Sequence, residues 1–458
     1  MAADTPLPTI EGDPMEGVEQ ARIMGPTLLD VVKDCDNFPY PCHPGRPHLQ
    51  TESSHSHSSP VSSAATVCCS RDTSLALGSG STSGSPSSPP GPAPSTSGAD
   101  KTAAVDLYWD QWMPEADCPD PYSHFLNNLW TFHLPHDPCA HGLISSQIVD
   151  HLRDHDLWTE HFSLDRDSKS IHLLAPSAQD LLPQDNGDWQ TACSRILDEQ
   201  IELWRRTSML GREILGPKKK GEQFPIVGAK FDVGVDRSAI GLLGMIGRGA
   251  HMTVYSRRSR SSSSSSDTNG HGHGQQPEDE YLFWIPRRSR NKSTYPGKLD
   301  QAVAGGVARG ESPWKCIIRE AVEEAGSALS DGFVRRNAKA AGTVTWLNFS
   351  DERAGPGQKG LINPGVLYVY DLELPDEGRG FEFEAVPGDI EGWSIMTTNQ
   401  VMDAMKRFEF KPSCAVVMID FFVRHGVITA ENEPDYVQIS LPYLPSTLRD
   451  AGIAAAGD

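Results

Sequence analysis

One stretch constrains this chain more than any other: GGVARGESPWKCIIREAVEEAGS, residues 305–327. Ser312 followed by Pro313 is a good helix start, a serine cap with proline in the first turn, and Gly326 is a good stop. Between them Glu320, Glu323 and Glu324 stand at i, i+3 and i+4, within one narrow face of the predicted helix. Each like-charge pair at that spacing costs only about 0.2–0.5 kcal/mol, so a helix tolerates all three. Cys316, Ile317, Ile318, Ala321 and Val322 supply much of the apolar packing surface, which turns the acidic face toward solvent or a cleft. Arg319 is placed to pair with Glu311 across the loop–helix junction. A cluster of hard oxygen donors suits Mg²⁺ or Mn²⁺, ions often shared between carboxylates, waters and substrate phosphates. The bland alternative is a solvated acidic helix face. The recurrence of Gly305, Glu311, Arg319, Glu320, Glu323, Glu324 and Gly326 at fixed spacing argues against it.

Around this stretch the chain alternates between ordered patterns and low complexity. Residues 21–41 show helical spacing (Ile23, Leu28, Leu29, Val31, Val32), and residues 42–104 are too rich in Ser and Pro to bury a core, so they read as disordered. NLWTFHLP (128–135) reads as a strand, SSQIVDHLRDH (145–155) as a serine-capped helix and 191–211 as a longer amphipathic helix. FPIVG, FDVGVD and AIGLLGMIG (224–247) read as glycine-punctuated strands. HMTVYSR (251–257) and EYLFWIPRRS (280–289) read as two strands with a Ser-rich insert at their hairpin tip. After the box, strands are predicted at 343–349 and 365–374 and helices at 397–408 and 414–426. The resulting domains are an N-terminal tail (1–20), a smaller α+β accessory domain (21–236, with the 42–104 insert), an α/β domain that carries the box (237–430, with a loop at 258–279) and a tail (431–458).

Composition excludes several classes. Forty Lys and Arg against 61 Asp and Glu give a net charge of −21. So acidic a chain lacks the basic face of a general nucleic-acid binder, yet a small phosphorylated substrate needs only a local basic pocket. No apolar run is long enough to span a membrane. The acidic first residues have neither a signal-peptide nor a transit-peptide pattern, and the nine cysteines are scattered with no CxxC, so a reduced, cytoplasmic protein is expected.

The box resembles that of the Nudix hydrolases, Gx5Ex7REUxEExGU with U aliphatic, departing from it at Ser327. The segments 283–312 and 408–428, with FPYP, FLNNLWTFHLP and FDVGVDRSAIGLLGMIGRGAHMTVY, are similar to the thiamine pyrophosphokinase-related Nudix branch of fungi and plants. The resemblance implies an α/β/α sandwich with a mixed sheet behind an accessory domain, dependence on a divalent metal, and hydrolysis of a small-molecule diphosphate. It assigns Glu320, Glu323 and Glu324 to the metal, with the Gly305 carbonyl completing the shell. For the general base it offers Glu323, or Glu391 in GDIEGW. No kinase activity is expected, since no phosphate loop is present and no further domain of typical size fits before Asp458.

Arg287, Arg288 and Lys298, with Lys292, are candidates for phosphate contacts. Tyr295, Trp346 and Trp393 are candidates for stacking on a heteroaromatic ring, although core packing is the commoner fate of such side chains. The preferred substrate is thiamine diphosphate or its damaged analogues, cleaved to the monophosphate and phosphate. The alternatives are a nucleotide-sanitising hydrolase of oxidised purine nucleoside di- or triphosphates and a non-catalytic binding module.

Overall fold

The strand that carries the box is β9, Val303–Gly306, and it lies on one half of a longer strand, β7, Gly247–Arg258. The computed structural model describes residues 25–36, 121–216, 222–258, 280–355 and 357–440. The 42–104 insert, the 259–279 insert and Ile23 lie outside them. The main sheet also contains β8 (Glu280–Arg288), β10 (Ala338–Phe349), β11 (Ile362–Glu373) and β12 (Ile390–Thr397), in the order β10-β11-β7-β8-β12 with β9 on β7. β11 runs parallel to β7 and every other pair is antiparallel, so the sheet is mixed.

β7 changes partner along its length. Gly249–Met252 pair with β9, and Tyr255–Arg258 pair with β8. The fork between them is filled by residues 299–301: Asp300 N–H donates to the Pro286 carbonyl at 3.0 Å and Thr253 Oγ1 donates to Gln301 at 3.1 Å. The fork therefore fixes where β9 begins, with Val303 opposite Met252 just beside it.

Side chains alternate across the sheet, as the pleat requires. Ala250, Met252, Val254 and Trp284 join one buried cluster with Cys316, Ile317, Ile318 and Ala321 of α6 (Pro313–Ala325) and Val334 of α7 (Asp331–Asn337). Tyr255, Phe283 and Ile285 join another with Val401 and Met405 of α8 (Thr398–Lys406) and Met418, Phe421 and Phe422 of α9 (Pro412–Arg424). The result is the α/β/α sandwich with a mixed sheet that the sequence implied. Leu28 and Val31 of α1 (Leu28–Cys35) belong to the second cluster, so this early helix packs on the α/β/α sandwich. A capping box between Thr27 and Asp30 starts it, and Asp34 pairs with Arg353.

The preceding region builds a four-stranded sheet, β2-β1-β4-β3, from β1 (Leu129–His133), β2 (Ala140–Ser145), β3 (Phe162–Asp165) and β4 (Ser170–Leu173). Against it pack α3 (Ser146–Asp154, capped by Ser145) and α4 (Trp189–Thr207). Trp204 and Gln200 of α4 both donate to the Leu157 carbonyl, at 2.8 and 2.7 Å, which fixes the helix to its neighbouring loop. β5 (Gln223–Pro225) and β6 (Gly234–Asp236) form a short ladder of their own.

Two expectations need correction. The AIGLLGMIG segment is no strand but a 3₁₀ turn and tight turns up to Met245, with Leu242, Leu243 and Met245 buried. Gly244 there has φ +55 and hydrogen-bonds Leu143, where a side chain would strike the Leu143 backbone. Val322 is not core: it is 47% exposed. β2, β3, β4, β9, β12, α2 (Pro121–Asn127), α5 (Met209–Leu215) and α7 were not foreseen, because short strands and seven-residue helices carry little periodicity. Among the described residues, no helix is long and apolar enough to cross a membrane.

Arg258 and Glu280 face each other in the ladder and form an ion pair at 2.6 Å. Replacing residues 259–279 by an Asn-Gly turn should keep the fold and stabilise it by about 2 kcal/mol through the shorter closure, as read by chemical denaturation. A large loss of stability would show that the insert takes part in packing.

Candidate functional site

The box helix begins as its sequence dictates: the Ser312 hydroxyl accepts from Lys315 N–H at 3.2 Å and Pro313 fills the first turn. It ends at Gly326, whose backbone (φ +54, ψ −127) suits only glycine. Arg319 ties this helix to the loop before it. Its Nε and Nη2 donate to the two Glu311 oxygens at 2.9 and 3.1 Å, while Nη1 reaches Glu320 at 2.7 Å and Glu323 at 3.2 Å. Glu311 is held below the usual carboxylate range chiefly by these Arg319 bonds.

The three helix carboxylates are not equivalent. Glu323 has a side chain 56% exposed, against 14% for Glu320. Glu320 lies over β9, and a Cβ on Gly305 would collide with its carboxylate, so only glycine allows this approach. Glu324 accepts from the Ala304 N–H at 2.8 Å. Burial raises the proton affinity of Glu320; Arg319 opposes the rise and Glu323 adds to it. Burial pushes Glu324 up much further, against its bond from Ala304 and with the charges of Asp300 and Glu320 adding to the rise. Thus two carboxylates that resist holding negative charge sit side by side on the backbone of 304–305. Such a pair of oxygen donors suits a hard divalent cation. Among the described residues, no three His, Cys, Asp or Glu side chains are already gathered about one point; Arg319 engages Glu320 and Glu323.

The basic residues singled out in the sequence fare differently. Arg288 turns inward: Nη1 bonds Asp300 at 2.5 Å, Nε the Tyr295 carbonyl at 3.0 Å and Nη2 the Thr294 carbonyl at 2.8 Å. All three nitrogens are thus spent on protein acceptors, leaving Arg288 behind Glu324 rather than open to a ligand. Arg287 donates to Gly297 O at 2.8 Å and Lys298 to Phe408 O at 2.7 Å. Lys292 pairs with Asp389, and its charge bears on Glu324. Glu391 accepts from Arg290 N–H at 2.9 Å. Trp393 donates to the Glu384 carbonyl and packs on Phe383, and Trp346 covers Gly365. Tyr295 is partly buried at a positive φ of 47°.

Sequence reasoning missed two neighbours of the box. Arg309, in its loop, donates to Asp232 Oδ1 at 2.9 Å, Asp232 O at 3.0 Å, Ser194 Oγ at 3.0 Å and Gln223 Oε1 at 2.9 Å. The Phe224 ring lies against Gly306, where a side chain would clash. No periodicity signals either contact. The Gly305-Gly306 doublet was the available hint, since adjacent glycines in a strand mark close approaches on both faces.

Residues 274–414 match the family model described as NUDIX domain. The chain is 28% identical over 359 residues to the uncharacterized protein YJR142W of Saccharomyces cerevisiae, covering 74% of this chain and 92% of that one. It is 28% identical over 298 residues to Nudix hydrolase 20, chloroplastic, of Arabidopsis thaliana, covering 63% and 69% of the two chains. With Nudix hydrolase 24, chloroplastic, of the same plant it shares 30% identity over 254 residues, covering 53% of this chain and 60% of that one. An Ap4A hydrolase structure from C. elegans matches with a TM-score of 0.24 and 15% identity, over 40% of this chain and 99% of that one; so low a score adds nothing to the strand order above.

Because the folded Glu324 carboxyl binds its proton more tightly than the ordinary value of 4.5, the folded state is favoured at low pH. That advantage is lost as pH rises from about 4.5 through the raised folded value. In chelator, Glu324→Gln should flatten this decline and melt above the wild type at pH 7. Parallel melting-temperature curves for the two proteins would assign the decline to other groups.

Proposed function

We propose, from the NUDIX domain at 274–414, that this chain hydrolyses the diphosphate of thiamine diphosphate, or of its damaged analogues, to the monophosphate and phosphate. The NUDIX domain and the Nudix hydrolase relatives support its coarser part, a hydrolase acting on a pyrophosphate bond. The thiamine substrate rests on the branch resemblance in the sequence. The observation that carries the chemistry is the placement of Glu320 and Glu324 side by side over the glycine strand at 304–305.

In this reading Glu320 and Glu324, with the Gly305 carbonyl, hold a divalent cation, taken as Mg²⁺ or Mn²⁺, and Glu323 completes the set or acts as base. When bound, the ion neutralises charge on the diphosphate oxygens and makes water a better nucleophile. The chain's own residues supply position. Arg319 sets the angle between loop and helix, and the Ala304 N–H aims one Glu324 oxygen. Glu323 stands in solvent, where it can accept the proton of an attacking water. Glu391 is the alternative base, although Arg290 N–H already caps one of its oxygens. Arg287 and Lys298 remain proposed phosphate contacts, but Arg288 is better assigned to the buried network and Lys292 to its pair with Asp389. The accessory and catalytic divisions at 21–236 and 237–430, and a cytoplasmic location, belong to the same proposal; two plant relatives are named chloroplastic.

Phosphate release with Mg²⁺ should be measured on thiamine diphosphate, oxothiamine diphosphate, oxidised guanine nucleotides and ADP-ribose. Thiamine compounds should be turned over, and Glu323→Gln should lower kcat by about a hundredfold or more, the range of a lost general base. A similar loss in Glu391→Gln with Glu323→Gln active would move the base to Glu391. Turnover of nucleotides alone would replace the thiamine substrate while keeping the box chemistry.

A further inference from the structure

The short β5–β6 ladder is docked on the box. Gln223 O accepts from Arg309 N–H at 2.8 Å, Phe224 lies on Gly306, and Gly234 leaves room for the Arg309 side chain. Immediately after β6, Arg237 places its guanidinium over the Phe224 ring, 5.3 Å from the centroid. Its ring, Phe224, lies on Gly306, the neighbour in β9 of the Gly305 on which Glu320 rests, and on the opposite face of that strand. Only the Nη1 of Arg237 is engaged, by Glu222 at 2.9 and 3.0 Å; among the described residues no partner of Nε or Nη2 is found. The side chain is half exposed, at 50%. A surface ion pair of this kind is worth about 0–1 kcal/mol, so folding gives little reason for an arginine here. A guanidinium held over a ring, with one edge free, is a fork for phosphate oxygens.

We propose that Arg237, presented on Phe224 beside the box glycines, binds a phosphate of the organic diphosphate held at Glu320 and Glu324. The charge of Arg237 also bears on Glu320, as this placement requires. The inference rests on the reading of the box as a diphosphate site, and it makes the region before the sandwich part of that site.

The test uses the full chain with Mg²⁺, comparing wild type, Arg237→Ala, Arg237→Lys and Glu222→Gln. Two quantities are read: KM for the best diphosphate substrate, and the Kd of methylenediphosphonate, which cannot be hydrolysed, by calorimetry. Arg237→Ala should raise both by about tenfold, the loss of one charge-assisted fork, with kcat moving less than KM. Arg237→Lys should recover part of the loss. Glu222→Gln breaks the same ion pair yet keeps the guanidinium, so it should stay near wild type. Equal losses in Arg237→Ala and Glu222→Gln would make the role structural and overturn the proposal, as would an Arg237→Ala protein indistinguishable from wild type. If the wild type turns over no diphosphate, the hydrolase reading fails and the calorimetry alone decides. Weaker binding in Arg237→Ala would then uphold the phosphate contact, and equal binding, or none by the wild type, would overturn it.

Discussion

Arg319 is the contact on which the box depends. Three carboxylates on one helical face, with a fourth at the end of the preceding loop, repel one another. The guanidinium answers all of Glu311, Glu320 and Glu323 at once. Its planar fork fixes direction as well as charge, which an ammonium would not do. With the loop thus bound to the helix, Glu320 can lie across β9, and the missing side chain at Gly305 turns this from a collision into a fit. Glu324 follows one turn on and finds the Ala304 N–H. One cation and one glycine therefore decide where two acids stand.

Behind those acids the divided edge of β7 creates a second requirement. A strand that changes partner leaves backbone and side-chain polar groups inside the sandwich, and each must be satisfied. Asp300 fills the gap, accepting from Arg288 and from the Cys414 thiol, while Gln301 donates to the Cys414 carbonyl. Burial works to raise the Asp300 pKa, yet the charges of Lys411 and Arg288 hold it below the usual carboxylate range. His251, on β7 at the fork, is driven down to about 3 by burial and stays neutral. Removing one partner of such a buried pair costs about 3–5 kcal/mol, so the Arg288–Asp300 link is better understood as scaffold. Its negative end faces Glu324 and adds to the difficulty of ionising that acid.

The sequence carried the helix of the box almost whole, because cap, stop and acid spacing are local. The alternating runs around 251–257, 280–289, 343–349 and 365–374 were legible for the same reason: each face of the sheet is covered, and the pattern shows it. Contacts between distant segments were not legible. Arg288 looks like a ligand-facing cation until Asp300 is seen beside it, and Val322 looks like core until the helix is docked. α1 lies more than 300 residues from α9 in the chain, yet its Leu28 and Val31 share a cluster with Phe421 and Phe422. Arg309 and Phe224 belong to this class too, since neither lies in a pattern that a single sequence can show.

The net charge of −21 poses a final constraint on any diphosphate site here. At physiological salt, charges more than about 8 Å away are largely screened, so recognition depends on the cations next to the box and on what holds each of them. Arg319 is committed to three carboxylates, Arg309 to Asp232, Ser194 and Gln223, Lys292 to Asp389 and Arg288 to Asp300. These cations are already neutralised locally and offer little attraction to an incoming anion. Arg237 differs from these, because Glu222 takes one nitrogen and, among the described residues, no partner of the other edge of the guanidinium is found. In an acidic chain of this kind, affinity for phosphate depends on a cation whose donors the fold has not used, more than on the number of cations nearby.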